Sequence, residues 1–233
     1  MEQGTDNRPD LNLSGIGQAA GGAYRNVRID GICTFVSEVE CETMDINGRA
    51  KARGGIKAGR FHCNGTFDID GALRADETRI DGMVSVNGSV AADRLNINGM
   101  FKAEGDLTAE NARLHGLFKI RGLLNAGTVE ILMFGKSLVR EIGGEKIKVA
   151  SGPTSGWRKL WQWAVPKLIV RLEAETIEGD EIELTDTTAA VVRGNRVTIG
   201  KGCRIGKVEY RSDLVVHPQA KVDETIPHEG KIG

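Results

Sequence analysis

Acidic residues are the first candidates for catalytic side chains, because some of them lie close together in the sequence. Asp68 and Asp70 form one pair of nearby carboxylates, and Asp76 and Asp81 form another. On the outer face of a β-structure, such a pair could supply the acid and the base of a polysaccharide-cleaving enzyme. General acid–base catalysis needs positioned partners, and the sequence offers neither an accompanying base nor a metal set. We therefore interpret these carboxylates as residues of a solvated outer face or of turns.

Short Ile-Gly repeats support a second catalytic hypothesis. Ile199-Gly200 and Ile205-Gly206 lie six residues apart, as in hexapeptide-repeat acyltransferases. Such an enzyme needs a general-base histidine in a cleft between subunits. The histidines lack a supporting motif, and we interpret them as surface residues: His62, His115, His217 and His228. We predict that the protein is not an enzyme and keep an acyltransferase-like enzyme as the alternative.

The four cysteines do not have the spacing of a metal site. They are Cys33, Cys41, Cys63 and Cys203, and the chain contains no Cys-x-x-Cys motif. The first three occupy positions where related parts of the sequence place alanine or a branched residue. We therefore interpret them as small buried hydrophobes. We expect no metal ion, no cofactor and reduced thiols in a cytoplasmic protein.

A 17-residue repeat, running from residue 27 to residue 131, must position those of these side chains that lie within it. Glycine returns with this period on two tracks: Gly31, Gly48, Gly65, Gly82, Gly99 and Gly116, and Gly54, Gly71, Gly88, Gly105 and Gly122. Between the glycines, pairs of apolar residues such as Phe67/Ile69 and Val84/Val86 fall into three columns. Of these 38 positions only Thr78 is polar, although the whole chain is only 40% hydrophobic.

The two-residue spacing within each pair is the period of a β-strand. Three pairs per repeat predict three short strands per turn, with the paired side chains pointing inward. Stacked turns place each strand beside its copy about 4.8 Å away, in parallel. We therefore predict an all-β fold, a right-handed triangular parallel β-helix solenoid with 17-residue coils and a short helical and hairpin insert.

The sequence divides into five segments. We expect a flexible N-terminal arm at residues 1–22, in which Leu11 to Gly17 could instead add a cap strand or touch a membrane transiently. Six regular coils follow at 23–132, then an insert at 133–167, a second and less regular block at 168–226, and a tail at 227–233. In the second block the spacing of Ile182, Ile199 and Val216 is again that of the repeat. The formal net charge of −1 shows no basic excess, so nucleic acid is not an expected partner.

The insert combines three local patterns. Alternation on both sides of Gly143-Gly144 predicts a hairpin or a strand pair between Val139 and Val149. A loop follows, and then a short basic amphipathic helix rich in tryptophan. Its apolar residues suit contact with a membrane or a partner, or a cap folded back on the solenoid: Trp157, Leu160, Trp161 and Trp163.

The Ile-Asp-Gly and Ile-Asn-Gly corners, followed by the segment Val191 to Tyr210 (VVRGNRVTIGKGCRIGKVEY), resemble the bactofilins, which are polymer-forming bacterial cytoskeletal proteins. The resemblance covers nearly all of residues 22–217 and is closest to the longer, paired type of Gram-positive bacteria. It implies end-to-end polymerisation without nucleotide, and a scaffold that positions other proteins for motility, cell shape or envelope processes.

Together these patterns predict a non-enzymatic cytoskeletal scaffold. A solenoid end exposes an unpaired strand edge and apolar core residues. We predict that polymer contacts use the first coil, unless the N-terminal arm covers it: Val27, Ile29, Cys33 and Phe35. The expected partners are further copies of the chain in a homo-oligomer or filament, a bactofilin paralogue, and client proteins that the sequence does not identify. We expect a cytoplasmic protein, with peripheral membrane association as an additional hypothesis.

Overall fold

The computed structural model describes residues 8–152 and 170–227. Contacts between Cα atoms divide the chain into two compact units, Met1–Glu110 and Asn111–Gly233. The described residues form β-strands and no helix. The strands build a parallel β-solenoid with about 12 turns of about 17 residues each. The predicted fold class is confirmed in these terms, and the right-handed winding stays a prediction.

The first unit consists of short strands joined by tight corners. They are β1 (Leu11–Ala19), β2 (Gly22–Ala23), β3 (Asn26–Phe35), β4 (Val39–Ile46), β5 (Arg49–Ala52), β6 (Ile56–Cys63), β7 (Thr66–Ile69), β8 (Leu73–Ile80), β9 (Met83–Val86) and β10 (Val90–Ala103). The next strand, β11 (Leu107–Met133), begins in the last four residues of this unit.

Every pairing in the first unit is parallel, and from β3 onward the register advances by one repeat. Val39 pairs with Ile56, and Ile56 pairs with Leu73. On another face Ala50 pairs with Phe67, and Phe67 pairs with Val84. Each repeat therefore stacks on its own copy, because a one-residue slip would turn the inward side chains outward.

The inward columns form the core. Of the 38 column positions, all but Ala92 and Ala109 are buried. Three phenylalanines pack inside the first unit, with ring centroids 6.3 Å apart for Phe35 and Phe67 and 5.8 Å apart for Phe61 and Phe67. Thr78 is fully buried, and its hydroxyl has no hydrogen-bond partner. The sequence pattern therefore located the core nearly residue by residue.

Close approach between turns explains the first glycine track. A Cβ atom on Gly48 would lie 2.1 Å from the carbonyl oxygen of Gly31, far inside van der Waals contact. Gly65 meets Gly48 in the same way. A side chain at these corners would push neighbouring turns apart, so only glycine allows the normal spacing between strands.

Strand β1 changes the expected N-terminus. Leu11 to Ala19 pairs in parallel with Val27 to Phe35, with an offset one position shorter than the repeat. The prediction of a flexible arm over residues 1–22 is therefore wrong for this stretch, and the alternative of a cap strand is confirmed. Arg25 anchors the beginning of the strand, because its guanidinium donates hydrogen bonds to Asp10 at 3.0 and 2.7 Å.

The second unit continues with longer strands. After β11 come β12 (Lys136–Ser151), β13 (Arg171–Leu184), β14 (Thr187–Ile199), β15 (Arg204–Val216) and β16 (Lys221–Pro227). β12 pairs in parallel with both β11 and β13. The predicted hairpin around Gly143-Gly144 is therefore wrong. These glycines form a corner of one more turn, where a Cβ on Gly144 would lie 2.4 Å from the carbonyl oxygen of Ala126.

The turns of the second unit vary in length. Ile182 pairs with Val197, and Val197 pairs with Leu214, so the first of these steps is two residues shorter than the second. The predicted alignment of Ile182 with Ile199 is wrong by the same two residues, because the corner between β13 and β14 is shorter. The pairing of Ile205 with Val222 keeps the full step of the repeat.

The predicted tryptophan-rich helix, with Trp157, Leu160, Trp161 and Trp163, lies outside the described residues. Its contacts with a membrane or a partner stay a prediction. In the described ranges no helix is long and apolar enough to cross a membrane.

Candidate functional surfaces

The first surface is the outer edge of β1. This strand pairs only with β3 among the described residues. Leu11 and Leu13 point in the same direction as the buried Val27 and Ile29 but are half-buried. Core-type side chains and unpaired backbone groups are therefore available at this end of the first unit, which is what an added strand requires.

The residues predicted as polymer contacts do not form this surface. Val27, Ile29, Cys33 and Phe35 are each no more than 1% exposed, because β1 covers them. An N-terminal segment that covers the first coil was the stated exception to that prediction, and β1 is that segment, so the outer edge among the described residues lies one turn earlier in the chain. Its apolar residues are Leu11 and Leu13.

A second open edge lies at the last turn of the second unit. Val197 and Ile205 are buried, but their partners one turn later, Leu214 and Val222, are only half-buried. Val215 is exposed beside them in sequence. β16 pairs with β15 from Arg204 to Tyr210, and no described strand pairs with the outer edge of β15 from Asp213 to Val216. The inward columns that are buried in the preceding turn are therefore partly exposed to solvent at this edge.

An outward apolar column marks the first unit. Ile16 pairs with Ile32, and Met83 pairs with Met100. All four are exposed, between 42% and 85%. Arg49 and Thr66 occupy the two positions between them. An apolar row that repeats with the period of the fold differs from isolated surface hydrophobes, which need no explanation.

The acidic pairs lie on the surface, as predicted. Asp70 receives a hydrogen bond from Asn87 and lies 3.3 Å from the Lys51 ammonium. Asp81 accepts a hydrogen bond from Arg79 at 2.6 Å and lies 3.3 Å from Nε2 of His62. The Arg79 guanidinium, with a smaller contribution from His62, lowers the pKa of Asp81. That shift favours an ionised ion-pair partner over a general acid, which needs a raised pKa.

The described histidines have different surroundings. His62 lies between Asp45 and Asp81. Nδ1 of His217 accepts a hydrogen bond from the Gln219 amide. Nε2 of His115 is buried without a hydrogen-bond partner. His228 lies outside the described residues. Among the residues that the structure describes, no cluster of His, Cys, Asp and Glu could hold a metal ion.

Outward charges on one face of the second unit alternate in sign over three turns. Arg193 bonds to both Glu178, at 3.0 Å, and Glu209, at 2.6 Å, which are its register partners in β13 and β15. Arg196 pairs with Glu181 in the same manner. The hydrogen bond from Arg193 lowers the pKa of Glu209. Opposite charges on neighbouring strands favour the correct register.

All four cysteines are free thiols in buried positions. Burial raises the pKa of Cys41 and of Cys63 to about 12. Thiols of this kind have little thiolate at neutral pH and do not act as nucleophiles. The interpretation of Cys33, Cys41 and Cys63 as small core residues is confirmed.

Two proteins of Bacillus subtilis (strain 168) are similar to the whole chain. The uncharacterized protein YhbE is 50% identical over 231 residues, which covers 91% of this chain and 95% of YhbE. The uncharacterized protein YhbF is 49% identical over 233 residues, which covers 92% of this chain and 95% of YhbF. The chain belongs to the YhbE/YhbF family. No protein-family profile matches it. No solved structure matches it either.

The open ends of this YhbE/YhbF family member were only partly accessible from the sequence. Leu11 and Leu13 could be recognised in the sequence as apolar residues. Their turn is one residue shorter than the repeat, so they do not align with the columns of the repeat. Leu214 and Val222 lie in a block whose corners change length. A search for alternating apolar and polar residues that does not require a fixed repeat length could have located both ends.

Proposed function

We propose that this protein is a non-enzymatic scaffold that assembles end to end through its terminal turns, as bactofilins do. The observation that carries the proposal is the pair of open edges. At each of them, columns that are buried in the neighbouring turn become half-exposed: Leu11 and Leu13 at β1, and Leu214 and Val222 at β15 and β16. A further parallel strand would bury these side chains and satisfy the free backbone groups.

The two edges differ in sequence, which bears on the product of assembly. A contact between different surfaces that does not close into a ring produces a filament. The contact requires only backbone hydrogen bonds and apolar burial, so we expect assembly without nucleotide or metal. The filament then presents partner-binding surfaces at a fixed repeat, which suits a role in positioning proteins for motility, cell shape or envelope processes.

A paralogue is a natural second component. YhbE and YhbF occur in one organism, and each matches this chain along nearly its whole length. Chains that share rung geometry can add strands to each other, because parallel pairing depends mainly on backbone hydrogen bonds. We infer that a second family member, where one is present, enters the same filament.

Electron microscopy of the purified full chain tests the proposal. We expect filaments without added nucleotide for the wild-type protein. Leu13→Glu and Val222→Glu each place a charge on one open end and should shorten filaments or abolish them. Thr108→Glu adds the same charge at an exposed position away from the ends and should leave filaments intact.

Two results would overturn the proposal. One is a wild-type protein that sediments as a monomer at high concentration. The other is assembly of both end variants at the wild-type level. A discrete trimer that binds an acyl thioester would instead favour the acyltransferase-like enzyme.

A further inference from the structure

A pocket in the second unit has a charge pattern that assembly does not explain. It has a volume of about 530 Å³ and lies beside the first residues of β13, β15 and β16. Three cationic residues line it, Arg171, Arg204 and Lys221, together with Gly202, Cys203, Pro218, Gln219 and Ala220. The described residues that line the pocket include no acidic one, although the carboxylate of Asp186 lies beside Gly202. The whole chain has a formal net charge of −1, so this concentration of cations is local.

The pairing of two of these cations departs from the charge pattern of the fold. Arg204 and Lys221 are direct register partners on neighbouring parallel strands, about 4.8 Å apart. Like charges in such positions repel each other. Other register partners in this unit have opposite charges, as in Glu178, Arg193 and Glu209. The exception besides Arg204 and Lys221 is Lys136 with Arg171, which also lines the pocket. A like-charged pair is tolerated more easily when an anion binds between the two groups.

A like-charged pair in the first unit shows the contrast. Lys57 and Arg74 are also register partners. Lys57 forms an exposed ion pair with Glu40 at 3.1 Å, and the difference lies in the lining, because acidic residues such as Asp76 and Asp93 line the same groove. In the pocket of the second unit, Lys221 has a partner outside the lining, Asp223 at 3.2 Å, but both side chains are more than 60% exposed. Such a surface pair contributes little.

Unpaired hydrogen-bond donors lie at the same corner. Nε of Arg171 is buried and has no hydrogen-bond partner. The hydroxyl of Thr188, the register partner of Arg204, is also buried without one. These are two of the four buried side-chain atoms without a partner in the described part of the chain. A buried donor without an acceptor is unfavourable, so an acceptor that reached Arg171, which lines the pocket, would be favoured.

An acidic group lies beside one of the lining residues, Gly202. Its φ is +73°, a conformation that favours glycine, and a Cβ there would meet a carboxylate oxygen of Asp186. Guanidinium groups bind planar or tetrahedral oxyanions through two parallel hydrogen bonds. The volume lies in the range of small-molecule sites and exceeds the need of a single simple ion.

We propose that this pocket binds a phosphate group, with Arg171, Arg204 and Lys221 as its cationic ligands. The group belongs either to a free phosphorylated molecule or to a phospholipid headgroup, which present the same chemistry. The proposal does not depend on filament formation, because the pocket is built from one chain.

Binding is tested with the full-length protein and inorganic phosphate at constant ionic strength, set with sodium chloride. We expect phosphate to raise Tm and to broaden its ³¹P NMR signal. The double variant Arg204→Gln/Lys221→Gln should weaken binding by at least tenfold. Lys148→Gln removes an exposed lysine that pairs with Glu183 and should bind like the wild type. Without phosphate, the double variant should melt no lower than the wild type, because it removes a repulsion.

Vesicles distinguish the two sources. If phosphatidylglycerol–phosphatidylcholine vesicles pellet the wild type but not the double variant, the headgroup is the ligand. If inorganic phosphate binds and these vesicles do not, the ligand is a soluble phosphate. Equal phosphate binding by the wild type and the double variant, or equal weakening by Lys148→Gln, would overturn the proposal. Filament images of the same samples show separately whether assembly has failed.

Discussion

At the scale of single residues, the inward columns of the regular repeat contain apolar side chains almost without exception. Thr78 is the one polar residue in the columns of the regular repeat, and its buried hydroxyl has no partner. Phe61 and Leu95, its register partners on the adjacent turns, are apolar and fully buried. The hydroxyl is therefore desolvated without compensation, and the fold tolerates this because the surrounding columns supply enough apolar burial.

Replacing Thr78 with valine should stabilise the protein. Valine has the same branched shape without the hydroxyl, so the change removes an unsatisfied buried group and leaves no cavity. We expect a gain of about 1 kcal/mol and a Tm higher by about 2–4 °C, measured by thermal unfolding. Thr66→Val, at a half-buried outward position, is the control and should change Tm little. A lower Tm for Thr78→Val would contradict the assigned environment.

A second residue-scale prediction concerns pH. The hydrogen bond from Arg25 lowers the pKa of Asp10 to about 2, below the value near 3.9 expected in an unfolded chain. Because the folded-state pKa is the lower one, the stabilising effect of Asp10 is complete well above pH 4. It is lost as the pH falls from about 4 to about 2.

Asp10→Asn tests this linkage. The variant should have a lower Tm than the wild type at pH 7, and the difference should shrink as the pH approaches 2. Asp93→Asn removes an exposed carboxylate for which no ion pair is observed among the described residues, and it serves as the control. A difference for Asp10→Asn that stays constant from pH 7 to pH 2 would show that the ion pair is not its cause.

At the scale of elements, the structure is built from turns, and the turns differ in the length of their corners. The paired stretches keep their in–out alternation in both units, while the steps between register partners differ in length from turn to turn. Residues can be added or lost at corners because corners lie outside the strand ladder. The paired stretches cannot change by one residue without reversing their faces.

The glycine corners make this limit testable. Gly48→Ala should lower stability by about 2–3 kcal/mol, because its Cβ would lie 2.1 Å from a backbone oxygen that cannot move alone. At Gly143 the nearest atoms belong to the Asn125 and Leu123 side chains, at 3.0 Å or more. Gly143→Ala should therefore cost much less. The two variants are compared by thermal unfolding, and equal losses would refute close backbone approach as the reason for the track.

Much of the first unit could be predicted because each repeat restates the same pattern. A single substitution such as Thr78 does not obscure a column that six other turns define. The sequence was less informative where one turn stands alone. β12 alternates as a hairpin would, and only the partners on its two sides distinguish the two structures. The cationic pocket was invisible for the same reason, since Arg171 and Lys221 are far apart in sequence and meet only through the stacking of turns.

At the scale of the whole molecule, a solenoid has no closed core. Each turn is stabilised by its neighbours, so stability depends on how many turns are stacked and on what covers the terminal ones. We therefore expect assembly to stabilise the chain. Tm should rise with protein concentration for the wild type, and this dependence should be weaker for Leu13→Glu. A Tm of the wild type that does not change over a hundredfold range of concentration would argue against coupling between assembly and folding.

The buried cysteines have a practical consequence for kinetics. Cys33, Cys41 and Cys63 belong to the first unit and Cys203 belongs to the second. Each unit therefore contains a buried thiol whose reactivity reports the local opening of that unit. A thiol in these sites can be alkylated only after local opening. Pulse alkylation followed by mass spectrometry should therefore measure the rate of local opening of each unit separately within one sample. Labelling at the speed of a free thiol in native buffer would mean that these interiors are open.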